Sequence, residues 1–130
     1  AHARVCSVIR NAAVAFPDLL FDDSSLAKAD IDQLNDLGEL KMIRELTSWP
    51  EMVERSAKAQ EPHKIAFYLA DLSASFHSFW NRGNSEESLR FIVLGDAEKT
   101  MARVALARAV GIVIGSGLTV IGVEPLEEMR

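Results

Sequence analysis

The chain has 130 residues, 48% hydrophobic and 25% charged, with a formal net charge of −5. That suffices for a single domain, 1–130, around one core, and excludes a disordered or fibrous polymer. The acidic balance excludes a domain that holds nucleic acid by bulk charge attraction, and one cysteine, Cys6, excludes an internal disulfide framework and points to a reducing compartment, the cytoplasm.

Val5, Val8, Ile9, Ala12 and Phe16 recur on a helical period, which predicts a first helix over 2–16 that Pro17 stops. Cys6 falls between two of these apolar positions and reads as a buried, inert thiol. The opening residues show no basic head followed by an apolar block, so no signal peptide is expected. The chain is instead expected to begin inside a helix, as an excised fragment would.

Residues 18–35 are acidic and weakly periodic, which predicts an irregular or partly helical, mobile connection. Asp36 and Glu39 form a capping pattern before Leu40, Ile43 and Leu46, and Ser48 with Glu51 repeats it before Met52. Two short helices are expected, at 37–47 and 49–59. Pro62 suits the first turn of a longer helix carrying Ile65, Leu69, Leu72 and Phe76, with Gly83 as a left-handed stop. Phe67 and Tyr68 are read as core residues of this helix.

Residues 83–95 read as a loop that tucks one apolar turn, Leu89 to Leu94, inward. Asp96 then caps a final helix that runs through Leu118 to Ile121 and is closed by Gly122. Its apolar run, 109–123, has 15 residues, short of the roughly 20 that a bilayer requires, and reads as a core helix. Gly111, Gly115 and Gly117 would let another helix approach closely. With no strand pattern, the fold class is all-α: an antiparallel bundle of five to six helices.

No H-x3-H, H-E-x-x-H or C-x-x-C spacing is present to hold a metal, and Asp71, His77 and Ser78 lack the nucleophile elbow that a hydrolase needs. Charge is segregated: residues 18–61 hold 11 acidic and 5 basic side chains, a balance of −6. Elsewhere the balance is +1, so a basic and aromatic surface remains if that block faces away. The long helix ends in "SFHSFWN", where Trp80 reads either as a core or rim aromatic or as a flat stacking surface, with His77 one turn back. Arg103 and Arg108, with Lys99, read either as phosphate contacts or as a solvated face.

Three stretches carry a resemblance: "AHARVCSVIRNA" at 1–12, "EPHKIAFYLADLSASFHSFWN" at 61–81 and "ARVALARAVGIVIGSGLTVIGVEPLEEM" at 102–129. In that order they resemble the C-terminal anticodon-binding domain of arginyl-tRNA synthetases, the DALR domain. The resemblance implies a helical bundle that grips the anticodon stem-loop of tRNA for arginine. The parent would be an ATP-dependent arginine–tRNA ligase, with ATP and magnesium in a catalytic domain outside these residues and no cofactor here. The H-I-G-H and K-M-S-K-S motifs of that domain are absent from 1–130, so this segment is expected to bind without catalysing, as a monomer that partners its own catalytic domain and no membrane.

Residue by residue, the family's Y-A-H/N-x-R motif matches Ala1 to Arg4, which implies an anticodon role for Arg4. Its leading tyrosine would precede Ala1. The aromatic at the exposed end of the central helix, usually tyrosine, matches Trp80, and the C-terminal methionine matches Met129, here followed by Arg130. The expected RNA-binding set is therefore Arg4, His77, Trp80 and Met129. A helical protein-interaction module using the same aromatic helix end is the competing reading.

Overall fold

The computed structural model describes residues 1–122, all helix, turn and loop, so the C-terminal tail with Met129 and Arg130 lies outside the described residues. Helix α1 (His2–Ala15) buries Val5, Val8 and Ala12 and ends before Pro17, as the period requires. The acidic connection is partly helical but pinned. It contains the one-turn helix α2 (Asp23–Leu26), capped by Asp22, and a 3-10 turn at Ile31–Gln33, while Phe21, Leu26 and Leu34 are buried in the core.

Helix α3 (Leu37–Thr47) starts in a complete capping box: Asp36 accepts from the Gly38 amide and Glu39 accepts from the Asp36 amide. The same device expected at Ser48 does not form. Ser48 is itself helical, and its hydroxyl donates to the Glu45 carbonyl at 2.8 Å, closing α3 instead of opening α4 (Trp49–Lys58). Pro50 in the first turn of α4 supplies the start. Gln60, at φ 55°, then turns the chain into α5.

Helix α5 (Pro62–Ser85) buries Ile65, Leu69, Leu72, Phe76 and Phe79, alternating steps of four and three. Phe67 is out of phase with that stripe and stands 67% exposed, not in the core. Tyr68 is half-buried, stacked on Trp49 at 5.3 Å with its hydroxyl donating to the Glu45 carbonyl. Gly83 does not stop the helix, which runs to Ser85; it is buried, and a β-carbon there would stand 3.2 Å from the Arg90 Cα. The glycine lets the following segment approach. That segment makes a 3-10 turn at Glu87–Leu89 and buries Leu89 and Phe91, while Leu94 remains 77% exposed.

Helix α6 (Ala97–Val120) begins with Asp96 accepting from the Lys99 amide at 3.0 Å and ends before Gly122 at φ 85°. With 24 residues it is long and apolar enough to cross a membrane by composition, yet half of its most apolar window is buried inside the bundle. It packs on α1, α3 and α5, so one hydrophobic cluster joins all four. Gly111 makes the α1 contact possible, because a β-carbon there would lie 2.8 Å from Val5 Cγ1. Cys6 is partly buried and not paired, which corrects the expectation of full burial.

Candidate nucleic-acid interface

The close seat of α1 on α6 carries the first turn of α1 to the C-terminal half of α5. There the Arg4 guanidinium carbon lies 4.8 Å from the centre of the Trp80 ring, a cation–π distance. Trp80 is half-buried and not a free helix end: it stacks on Phe91 at 6.0 Å with 29° between planes. His77, three residues earlier on the same face, meets Phe76 edge-on at 5.6 Å. Burial first, and then the positive charge of Arg4, pushes its pKa below the ordinary value, so the ring is neutral at pH 7. Arg4, His77 and Trp80 thus share one surface, while Met129 lies outside the described residues.

Beside Trp80 opens a cleft of about 250 Å³, with Phe91, Val8, Asn11, Asn84 and Arg90 on its walls. It is smaller than the roughly 300–1,000 Å³ of drug-sized sites and suits one flat ring. Two carboxamides, each with donor and acceptor, stand at its exposed rim. Arg90 donates from Nε to the Gly83 carbonyl at 2.9 Å, which aims its side chain along the cleft. Sequence reasoning missed Asn11, Asn84 and Arg90. A signal existed for the first two, since Arg4, Val8 and Asn11 follow helical steps of four and three, and Asn84 lies one turn after Trp80.

The basic residues divide sharply. Arg82 forms a two-pronged pair with Asp36 at 2.8 and 3.0 Å, and Arg108 pairs with Asp23 at 2.9 Å. Arg103, expected at a phosphate or a solvated face, is 2% exposed and bonded to Glu39 at 3.0 Å. The acidic block therefore neutralises the arginines of α5 and α6. Arg4, Arg10 and Arg90 have no ion pair among the described residues. Asp71 and Ser78 are exposed, and no hydrogen bond among the described residues joins either to His77.

The DALR anticodon binding domain model matches residues 1–129. The chain belongs to that family. Over its full length this DALR domain is 50% identical to an arginine–tRNA ligase of Rhodospirillum rubrum and 50% to one of Ruegeria pomeroyi; a third, of Xanthobacter autotrophicus, is 48% identical. The chain spans 22% of the length of these relatives. No solved structure matches it.

Proposed function

We propose that this domain recognises the anticodon stem-loop of tRNA for arginine as part of a monomeric, cytoplasmic arginine–tRNA ligase. The observation that carries the reading is the meeting of Arg4 and Trp80 beside a ring-sized cleft with amides at its rim. An unpaired loop base enters that cleft and stacks against the indole, a contact worth about 1–3 kcal/mol. Asn11 and Asn84 meet its edge, and Arg4, Arg10 and Arg90 face the backbone. His77 borders the same surface, and the family resemblance alone assigns Met129, outside the described residues, to RNA binding. The domain holds the anticodon arm while the ligase's catalytic domain, with ATP and magnesium, attaches arginine at the other end of the tRNA.

Stacking dominates this mode, because three arginines, Arg4, Arg10 and Arg90, are the cations it uses. Titrating an arginine-acceptor stem-loop at two salt concentrations is expected to give a log–log slope below about four, each neutralised phosphate on a single strand contributing about 0.7. Trp80→Ala is expected to weaken binding by roughly tenfold or more. Because Trp80 is half-buried on Phe91, some stability is lost too, so affinity is read where circular dichroism shows both proteins folded. Unchanged stem-loop binding by that variant would favour a protein-interaction surface instead.

A further inference from the structure

The segment that supports Trp80 has no regular structure beyond the turn Glu87–Leu89, so its backbone groups need partners from elsewhere. Helix α6 supplies them at two points. Arg103 donates from Nη1 to the carbonyls of Ser88 at 2.5 Å and Arg90 at 2.8 Å. Thr100 Oγ1 accepts from the Val93 amide at 3.0 Å. Between these anchors lies Phe91, whose ring touches Phe76 at 5.2 Å, Phe79 at 5.4 Å and Trp80 at 6.0 Å. Arg103 is itself aimed: Glu39 Oε2 accepts from its Nε at 3.0 Å, while Glu39 Oε1 is held by the Asp36 amide at 3.1 Å.

We propose that Arg103, oriented by Glu39, is a positioning residue for RNA recognition: it clamps the carbonyls on either side of Leu89, sets Phe91 against Trp80, and so fixes the attitude of the indole toward an unpaired base. It touches no RNA. The inference rests on the anticodon reading above and adds to it a residue that acts through another. One guanidinium reaches a carboxylate and two carbonyls because its donors lie in a rigid fork. A lysine ammonium keeps the charge that Glu39 needs but is a single point on a flexible stem.

The test is Arg103→Lys in a Trp49→Phe background, where Trp80 is the one remaining of 2 tryptophans. Two readouts are taken below the thermal transition: indole emission with acrylamide quenching, and affinity for the arginine-acceptor stem-loop. The emission is expected to shift to the red and quench more readily, and affinity to fall roughly tenfold, on the scale of one lost base stack. Made on top of Trp80→Ala, the lysine change is expected to weaken binding no further, because both act through one side chain. Unaltered emission, or losses that add, overturn the proposal. If the lysine variant does not fold, Thr100→Val loosens the same segment at Val93 and is expected to move both readouts in the same direction by less. Failure of the unaltered domain to bind the stem-loop overturns the anticodon reading alone, and emission then decides whether Arg103 positions the indole.

Discussion

Of the arginines that sit over aromatic rings in this domain, Arg103 and Arg4 do so at similar distances, and their surroundings make them different devices. Arg103 lies 5.4 Å from the Phe79 ring centre, sealed in the bundle, with Glu39 and two carbonyls on its donors. Arg4 lies 4.8 Å from Trp80, half-buried, with no hydrogen bond or ion pair among the described residues. A buried guanidinium is stable only when its charge and donors are met inside the protein. At the surface the ring can hold the guanidinium plane while the donors remain available to a ligand. The same contact therefore closes one site and leaves the other open.

The comparison breaks first on stability. Arg103→Met strands the Glu39 carboxylate, 0% exposed, without its cation, and removal of one partner from such a pair costs about 3–5 kcal/mol. Arg4→Ala strands nothing and is expected to cost less than about 1 kcal/mol. Urea unfolding followed by circular dichroism reads both. Adding Glu39→Gln to Arg103→Met is expected to recover part of the loss. Equal, small changes for both arginines would show that Arg103 is not buried as a charge.

How much of this was legible depends on whether the cause was local. Asp36 with Glu39, Pro62 and Asp96 each start a helix through contacts within a few residues, and the pattern located all three. Ser48 misled because one hydroxyl can serve either helix that it joins, and the C-terminal carbonyl of α3 won it. Gly83 misled because its purpose is a close approach by Arg90, a contact that no window along the helix contains. Arg103 was readable in part. It lies in phase with Ala107, Val110, Ile114 and Gly117, the buried stripe of α6, so its position announced burial; its carboxylate, 64 residues away, could come only from the fold. The pairing of Arg4 with Trp80 is likewise a product of packing, prepared by Val5 against Gly111.

The difference sharpens on RNA. If Arg4 works through its plane as well as its charge, Arg4→Ala is expected to weaken stem-loop binding by roughly tenfold, whereas Arg4→Lys restores less than half of that loss in free energy. Fluorescence anisotropy with a labelled stem-loop at fixed salt gives both numbers. Full recovery by lysine would reduce Arg4 to a phosphate contact and remove its share in reading a base.

The smallest effect comes from His77, which shares the Arg4 surface. Its folded pKa is depressed by burial and by Arg4, so the unfolded chain takes up the proton first, at about 6.5. Stability is therefore whole above that value and declines as pH falls toward the folded pKa. Asp36 also has a depressed pKa, held down chiefly by its hydrogen bond from Arg82, but its contribution is lost only below the unfolded carboxylate value of about 4. The difference in urea midpoint between about pH 7 and pH 5.5, taken in the domain and in His77→Asn, isolates this histidine, and the substitution is expected to flatten part of that interval. Phosphate near this surface favours the protonated ring, so stem-loop affinity is expected to rise slightly over the interval in which stability declines. Opposite signs follow only if His77 faces both the bundle and the RNA; a parallel fall in both would mark it as a packing residue alone.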